Sequence, residues 1–389
     1  MSTRPLLTIA VPTWNRCRYL VGLIRSVVRE ATDPALAGEV EVVVSDNASE
    51  DETPAAMAEL AAHSPVPIRY VRNATNLGAS RNFLRTLEEA AGTYWMLFGD
   101  DDELAPGALA PILAALRAHG EAPAFLFRSD IDRRVSPGFR AEGTGYALVE
   151  ATRNFFYHLG NAGYVAVRTD SARAGLARVG PGFMTTCWQI TEIAYLAMAE
   201  EGRSPALWVE SFDSARSPYH HENTLYTSYY LWATVVEGLY LTAYELRSLI
   251  GREAFEAARA LSGHPERLRV IFREFARYAL LFDEPGDRAS SRKAIGSFLW
   301  AHPREWPRVW PFWLTIQIPY PLATMAIASW RLGLRLIGQG ERAERMAQRI
   351  REGRERRRMV KEGEAKRLVA WQPGEWERPS DPGNGPLAC

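Results

Sequence analysis

Cysteine is scarce in this 389-residue sequence, and a net charge is absent. The cysteines, Cys17, Cys187 and Cys389, lie far apart and form no CxxC pair, which excludes a disulfide framework and the usual zinc-ligand spacing. The 46 basic and 46 acidic residues cancel, so no overall positive field attracts nucleic acid. The first apolar run, Leu6–Val11, is too short for a signal peptide. We therefore expect a cytoplasmic protein that binds no nucleic acid.

Composition changes along the chain and indicates four regions. Overall, 47% of residues are hydrophobic and 24% are charged, which is typical of a globular protein with a large core. Residues 1–222 mix strand-like and helix-like segments, and residues 223–305 are helical in pattern. Residues 306–370 are aromatic and then basic, and residues 371–389 are rich in proline, glycine and charge. We expect an α/β domain, a helical region, membrane-associated amphipathic and basic helices, and a disordered tail.

Short apolar runs alternate with amphipathic segments in the first 130 residues. The runs that predict buried strands are Leu6–Val11, Val40–Val44, Ile68–Val71 and Tyr94–Phe98. The segments with apolar residues at helical spacing are Leu20–Ala31, Thr53–Ala62 and Ala79–Ala90. This alternation predicts right-handed βαβ units and a mostly parallel sheet with helices on both faces. Further strands are expected at 124–127 and 164–167, and a further helix from about 189 to 201.

Polar clusters follow three of the predicted strands. They are Pro12–Arg16 after the first strand, Ser45–Ser49 after the second and Gly99–Glu103 after the fourth. Sheets of this kind bind ligands outside the carboxyl ends of their strands. We therefore expect the three clusters to line one rim and to form a ligand site.

The acidic turn Asp100–Asp102 is the most unusual of these clusters. Adjacent carboxylates raise one another's pKa, and a hard divalent cation relieves the repulsion. Mg²⁺ or Mn²⁺ held by one or two aspartates could bridge substrate phosphates and neutralise a leaving diphosphate. The alternative is a solvated acidic turn that caps the next helix.

The other two clusters supply groups suited to a nucleotide. Asp46 is placed to accept a hydrogen bond from the imide N–H of uracil or thymine, and Thr13 and Asn15 can hydrogen-bond to base and ribose. Arg16 or Arg81 could reach phosphate. For Asp46 the alternative is a structural role in a helix cap or an Asx turn.

Three runs taken in order resemble a known family. They are TIAVPTWNRCRYL, VVVSDNASEDET and NLGASRNFLRTLEEAAGTYWMLFGDDDEL, and they resemble the inverting GT-A glycosyltransferases of family 2, in particular the branch of bacterial abequosyltransferases. The resemblance is strong over residues 6–115 and weak over 120–220. It implies a GT-A fold for residues 1–222 and a nucleotide-sugar site. The donor-binding residues that we predict are Pro12, Thr13, Asn15, Arg16, Asp46, Asn76, Arg81 and Asp100.

The acidic turn departs from the family pattern at one position. The wider family has D-x-D-D, in which the first aspartate contacts ribose and the second aspartate of D-x-D ligates the metal. Aligned in this way, the first aspartate falls on Gly99, and the metal ligands are Asp101 and then Asp102. Reading D-x-D literally gives Asp100 and Asp102 instead. We prefer Asp101 and Asp102, with Asp100 supplying the ribose contact.

An inverting transfer needs a base that accepts the proton of the attacking hydroxyl. Family members supply it from an acidic residue that opens a helix after the central sheet. The matching stretch here begins at Trp188, and Glu192 is the carboxylate at that helix start. The resemblance therefore implies Glu192 as the base. Alternatively, Glu192 only complements the helix dipole.

A long uncharged run lies near the C-terminus. The twenty-two residues between Arg308 and Arg331 carry no charge and are flanked by tryptophans, as at a membrane interface. Their prolines, Pro311, Pro319 and Pro321, would break a single straight helix. Residues 331–367 then hold thirteen Lys/Arg and six Asp/Glu. Nucleotide sugars and this basic stretch both belong on the cytoplasmic side, so a monotopic hairpin or surface-lying helices fit better than one span. The alternative is an apolar helix packed on the protein.

Together these features predict a metal-dependent inverting hexosyltransferase of bacterial surface polysaccharide assembly. We expect Mn²⁺ or Mg²⁺, a UDP-, dTDP- or CDP-sugar donor and a lipid-linked saccharide acceptor. The expected location is the cytoplasmic face of the inner membrane, with peripheral or monotopic attachment to its surface. Sugar nucleotidyltransferases share the α/β layout, but their G-G-x-G-x-R loop is absent. The remaining alternative is a catalytically degenerate scaffold in a membrane assembly complex, which the Gly99 departure would favour.

Overall fold

The computed structural model describes residues 4–36, 38–129, 143–179, 188–199, 205–218, 231–262, 265–283, 285–345 and 347–348. The strands are β1 (Leu7–Thr13), β2 (Val40–Asp46), β3 (Ile68–Arg72), β4 (Tyr94–Leu97), β5 (Glu103–Leu104), β6 (Ala124–Phe127), β7 (Thr144–Tyr146), β8 (Val165–Arg168), β9 (Leu207–Glu210) and β10 (Ala215–Arg216). The α-helices are α1 (Cys17–Ala31), α2 (Thr53–His63), α3 (Ala79–Glu89), α4 (Leu109–Ala118), α5 (Leu148–Phe155), α6 (Thr169–Val179), α7 (Gln189–Met198), α8 (Leu239–Ser262), α9 (Pro265–Arg277), α10 (Pro285–Ala301), α11 (Trp306–Gln317) and α12 (Tyr320–Leu336).

The main sheet of the described chain has the strand order β3-β2-β1-β4-β8-β6-β9-β7. β1 pairs in parallel with β2 and β4, and β2 pairs in parallel with β3. β8 runs antiparallel to both β4 and β6, so the second half of the sheet is mixed. The four strands predicted in the first 100 residues are confirmed to within two residues, because each is an apolar run bounded by polar turns.

Both faces of the sheet are covered, as predicted. Every residue of β1 and β2 is buried, which requires a layer of helices on each side. Ile9 of β1 packs in a cluster with residues of α1, α2 and α4. Its neighbour Ala10 packs in a second cluster with residues of α3, α5, α7 and α8. Successive side chains of a strand point to opposite faces, so the two clusters are the two sides of one domain core.

The C-terminal helices pack partly on the sheet domain and partly on one another. α8 contributes Leu239, Ala243 and Leu246 to the second cluster, and it is interrupted at Gly251, whose φ of 73° lies in the left-handed region. α9, α10 and α11 share a separate core, which we call the C-terminal cluster. Its fully buried aromatic side chains are Trp232, Phe275 and Phe312.

The uncharged run near the C-terminus forms two helices, α11 and α12. They are separated at Ile318 and Pro319, whose ψ angles of 121° and 138° are extended. This division agrees with the prediction that prolines break the run. No helix in the described part of the chain has both the length and the apolarity that crossing a bilayer requires. The predicted tail, 371–389, lies outside the described residues.

Candidate active site

Three strand ends meet at one edge of the sheet. β1 lies between β2 and β4, and the last residues of β1 and β2, Thr13 and Asp46, are paired. Beyond β4, the N–H of Phe98 donates to the carbonyl of Ala10 at 2.9 Å, which keeps the chain beside β1 as it enters the acidic turn. The loops after these strands therefore surround one space, as predicted for the carboxyl ends of parallel strands.

A cavity of 570 Å³ occupies this space. Its volume is in the range of small-molecule sites. It is lined by Pro12, Thr13, Trp14, Arg16, Asn47, Asn76, Ala79, Asn82, Phe83, Gly99, Asp100 and Asp101. The structure thus brings together six of the predicted site residues: Pro12, Thr13, Arg16, Asn76, Asp100 and Asp101. Sequence reasoning missed Trp14, although it lies inside the first polar cluster, and it also missed Asn47 and Asn82.

Asn82 fixes one wall of the cavity. Its side chain is buried, and its amide nitrogen donates to the carbonyl of Ser45 at 3.0 Å. Its amide oxygen accepts from the Ser45 hydroxyl at 2.7 Å and from the Asn73 amide at 2.9 Å. Because both ends of this buried amide are satisfied, α3, the end of β2 and the loop after β3 are held together.

Asp100 is buried at the base of the acidic turn. Its carboxylate accepts a hydrogen bond from the Thr13 hydroxyl at 2.8 Å and lies 2.9 Å from the Arg16 guanidinium. Burial raises the pKa of Asp100 to about 6, although Arg16 and Thr13 oppose the shift; the neighbouring Asp101 adds to it. Its contacts connect the acidic turn to the end of β1.

Arg16 is the cation that faces the acidic turn. Its two terminal nitrogens lie 2.9 Å from Asp100 and 3.0 Å from Asp101. Its guanidinium also lies 5.2 Å from the ring centre of Tyr19, within the range of a cation–π contact. In this arrangement Arg16 neutralises part of the charge that the aspartates bring to the cavity.

Asp102 is half-buried next to Gly99 and Asp101, although it is not among the described residues that line the cavity. Its carboxylate accepts a hydrogen bond from the Ser217 hydroxyl. Ser217 is held there because Arg216 of β10 forms an ion pair with Glu103 of β5. Burial raises the pKa of Asp102 to about 7; the bond from Ser217 opposes the shift, and Asp101 adds to it.

Gly99 leaves room for two carboxylates. A Cβ atom at this position would lie 2.9 Å from an oxygen of Asp102 and 3.0 Å from an oxygen of Asp101. Any larger residue would have to displace one of these side chains. The missing side chain at Gly99 therefore leaves space that oxygens of Asp101 and Asp102 occupy.

The converging oxygens of Asp101 and Asp102 fit a divalent cation. In the described residues, no three His, Cys, Asp or Glu side chains are grouped into a ready metal site. Mg²⁺ is commonly held by one or two carboxylates, with water and substrate phosphates as the remaining ligands. Burial raises the pKa values of Asp100 and Asp102, and a cation bound beside them would favour their ionised forms.

Asp46 and Asn15 brace the loops. Asp46 is fully buried, and its oxygens accept from the Ser49 N–H at 2.9 Å and the Tyr70 hydroxyl at 2.5 Å. Asn15 has a φ of 54°, and its amide oxygen accepts from the Glu50 N–H at 2.6 Å. Neither residue is among the described residues that line the cavity. Their predicted contacts with base and ribose stay predictions.

Glu192 and Arg81 lie outside the lining of the cavity in the described chain. Glu192 is on the first turn of α7 and is fully buried. The same turn reaches the cavity rim, because the Gln189 amide donates to the Ser80 hydroxyl of α3 at 2.7 Å. Arg81 is exposed on α3. Their predicted roles stay predictions.

Comparison with known proteins finds similarity over much of the sheet domain. Residues 8–169 match the model of the family described as glycosyl transferase family 2. Over 105 residues the chain is 38% identical to the abequosyltransferase RfbV of Salmonella typhimurium, a match that covers 27% of this chain and 31% of the relative. Over 110 residues it is 31% identical to GalNAc(5)-diNAcBac-PP-undecaprenol beta-1,3-glucosyltransferase of Campylobacter jejuni, covering 28% and 34%. The chain thus spans about a third of these relatives.

The fold has a solved counterpart of nearly the same extent. S. aureus TarS 1-349 in complex with UDP superposes with a TM-score of 0.53 and 16% identity, covering 92% of this chain and 91% of that chain. At this identity the similarity concerns the fold alone. It extends beyond the family match into the C-terminal helices.

Proposed function

Residues 8–169 match the model of glycosyl transferase family 2, and from that match we propose that this chain transfers a sugar, with inversion, from a nucleotide sugar to an acceptor hydroxyl. The observation that carries the proposal is the cavity at the strand ends. Asp100 and Asp101 of the acidic turn line this cavity, and Arg16 forms an ion pair with each of them. A nucleoside diphosphate brings negative charge that such a site can hold only through a cation. The family match covers all the described residues that line this cavity.

The donor would lie along the cavity from Trp14 to Asp101. The Trp14 side chain is 46% exposed and lines the cavity, so its indole can stack on a base. Asn47 and Asn76 lie nearby and hydrogen-bond to one another at 2.7 Å, which provides amides for base or ribose. We propose a UDP-, dTDP- or CDP-sugar, with Asp100 at the ribose.

Asp101 and Asp102 would hold Mn²⁺ or Mg²⁺. When bound, such an ion supplies positive charge that stabilises the departing diphosphate. Asp100 and Arg16 would orient Asp101, because Arg16 bridges Asp100 and Asp101, and the bond from Ser217 would orient Asp102. Arg16 also lies close enough to the metal ligands to contact a phosphate after the donor binds.

Glu192 is proposed as the base. The acceptor oxygen would form a bond to the anomeric carbon while the bond from that carbon to the diphosphate oxygen breaks. The diphosphate leaves with the bonding electrons, and the hydroxyl proton moves to the Glu192 carboxylate. The position of Glu192 at the start of α7, whose first turn contacts the rim of the cavity, supports this role.

The acceptor that we propose is a lipid-linked saccharide in bacterial surface polysaccharide assembly, at the cytoplasmic face of the inner membrane. The relative from Campylobacter jejuni is named for an undecaprenol-linked saccharide. The Gly99 departure is the feature that would favour a degenerate scaffold, and the carboxylates of Asp101 and Asp102 beside it favour the enzyme.

The test is nucleoside diphosphate release from a panel of UDP-, dTDP-, CDP- and GDP-sugars with Mn²⁺ or Mg²⁺. We expect release from at least one donor, stimulated by a lipid-linked saccharide and lost without the divalent ion. Release of pyrophosphate from a sugar phosphate and a nucleoside triphosphate would instead indicate a nucleotidyltransferase. Donor binding without any turnover would favour the scaffold.

A further inference from the structure

Exposed apolar side chains are concentrated in the C-terminal helices. In the described residues twelve large apolar side chains are exposed, and ten of them lie between residues 300 and 337. These ten, which we call the C-terminal apolar face, are Trp300, Trp306, Trp310, Leu314, Ile318, Leu322, Met325, Leu332, Leu336 and Ile337. Large exposed apolar patches mark interaction surfaces.

The exposed residues of α11 form one stripe. Trp306, Trp310 and Leu314 are four residues apart and therefore share a face of the helix. The opposite side of α11 is apolar as well and packs into the C-terminal cluster. The residues that do so are Val309, Phe312 and Ile316. Because α11 already has a packed side, its exposed stripe is a second apolar surface that folding leaves in contact with water.

The exposed residues of α12 follow the same rule. Leu322, Met325, Leu332 and Leu336 are three, seven and four residues apart, which is the spacing of one helix face. Buried positions such as Ala323 fall between them. α11 and α12 are joined at Ile318, which is itself 39% exposed, so exposed apolar side chains continue along the chain from one helix to the next.

A tryptophan-lined cavity opens at one end of this face. It has a volume of 520 Å³ and is lined by Gly296, Leu299, Trp300, Pro303, Trp306 and Trp313. A Cβ atom at Gly296 would lie 3.2 Å from the Trp313 ring, so the glycine lets this ring lie against α10. Trp300 is 90% exposed at the cavity. The described lining contains no charged residue, which suits a hydrocarbon chain.

The charges around the face have one sign. From Trp300 to Ile337 the sequence has four arginines and one glutamate. That glutamate, Glu305, is 5% exposed and lies 3.2 Å from Arg308 and 3.6 Å from Arg259. Pairing of two copies through this face would bring arginines together, whereas an anionic lipid surface would attract them.

We propose that the C-terminal apolar face docks onto an anionic lipid bilayer and that its tryptophan-lined cavity receives one acyl chain. Indole rings favour the headgroup boundary, where their apolar body and N–H are both accommodated. Arg304 and Arg308 would meet headgroup phosphates while the stripe of α11 enters the acyl region. The inference extends the proposed function, because it places the enzyme where a lipid-linked acceptor resides.

The test uses the full chain with vesicles of phosphatidylglycerol and phosphatidylcholine. We expect the protein to sediment with them and to remain bound in about 1 M salt, because apolar burial is not screened. Trp300→Ala combined with Trp310→Ala should weaken binding on the order of a hundredfold, about tenfold for each indole. Arg304→Gln should weaken it about fivefold at low salt and have no effect at high salt.

Trp14→Ala is the matched control, because it removes an indole that is exposed to the same degree as Trp310. It should leave vesicle binding unchanged and weaken nucleotide binding. The double tryptophan variant should weaken vesicle binding and leave nucleotide binding unchanged. A full chain that stays in the supernatant would overturn the proposal. The proposal would also be overturned if the protein forms a dimer without lipid and the double tryptophan variant is monomeric. Vesicle binding without any nucleotide binding would contradict the proposed function alone.

Discussion

The sheet domain and the C-terminal helices use polar and apolar groups in opposite ways. At the strand ends, buried polar side chains such as Asp46, Asn82 and Asp100 are all paired, and a cavity remains between them. The core of the C-terminal helices is rich in aromatic side chains. Ten of the twelve large apolar side chains that are exposed in the described residues lie between residues 300 and 337. The strand ends thus present a polar cavity suited to a charged ligand, whereas the C-terminal helices expose an apolar surface.

This difference indicates a division of labour within one chain. Burying carboxylates and raising their pKa values works against stability, so their presence at the strand ends calls for a ligand that compensates them. Exposing indole and leucine side chains also works against solubility, and it calls for an apolar partner. If the division holds, variants in one region should leave the property of the other unchanged.

The largest expected effect is that of Asp101→Asn. It removes one proposed metal ligand at nearly constant volume, so we expect sugar transfer to fall by at least about a thousandfold, the scale on which electrostatic groups act in catalysis. Vesicle binding should not change. The measurement is nucleoside diphosphate release, with Asp33→Asn, on an exposed turn after α1, as the control. Transfer at the normal rate in Asp101→Asn would contradict the assignment.

Glu192→Gln should lower transfer by about 10²- to 10⁴-fold, because the amide cannot accept the hydroxyl proton. Donor affinity should remain normal. Since Glu192 is fully buried, the unfolding temperature of the variant must be measured alongside single-turnover rates. A folded variant with normal turnover would show that Glu192 serves only the start of α7.

Arg16→Gln should destabilise the metal-free protein by about 1–3 kcal/mol, because it removes a charged hydrogen-bond partner from a buried carboxylate. Added Mn²⁺ should recover part of this loss, since a cation can replace the guanidinium at the acidic turn. Denaturant unfolding with and without Mn²⁺ measures both effects. Arg18→Gln, an exposed position on the first turn of α1, is the control. If Arg16→Gln lowers the free energy of unfolding equally with and without Mn²⁺, Arg16 does not act at the metal site.

The smallest expected effect is a pH dependence of stability. Asp100 and Asp102 have pKa values of about 6 and about 7 in the folded protein, against an ordinary value of 3.8. The folded state therefore binds more protons than the unfolded state between these values. These two groups should raise the stability of the metal-free protein as the pH falls from about 7.5 to about 5.

Asp102→Asn should flatten that profile, most strongly between pH 6 and 7.5, because it removes the carboxyl with the higher pKa. Asp33→Asn should leave the profile unchanged. Thermal unfolding across this pH range is the measurement. If the wild type and Asp102→Asn show the same pH profile of stability, the pKa of Asp102 is not raised in solution.

Local pattern was sufficient to predict the sheet and the rim. β1, β2 and β4 are mainly apolar and fully buried, and each is followed by polar residues. This pattern predicted both the strands and the edge at which Thr13, Arg16 and Asp100 meet. The prolines likewise predicted the division between α11 and α12. These features depend on neighbours in the sequence, and for that reason sequence reasoning could reach them.

Contacts between distant segments were not accessible in this way. The bond from Ser217 to Asp102 depends on the pairing of β5 with β10, whose strands are two residues long and carry no periodicity. The sequence shows Asp46 at a strand end, but not that Tyr70 and Ser49 occupy its carboxylate. Whether a tryptophan is buried, like Trp232, or exposed, like Trp300, is also decided by packing.

The most direct measurement is calorimetric titration of UDP, dTDP and CDP into the full chain, with and without Mn²⁺, and into Asp101→Asn. We predict that at least one nucleotide binds, that Mn²⁺ strengthens its binding, and that Asp101→Asn removes the strengthening while Asp33→Asn does not. Equal nucleotide affinity in the wild type and Asp101→Asn, with or without the metal, would contradict a donor site built on the acidic turn.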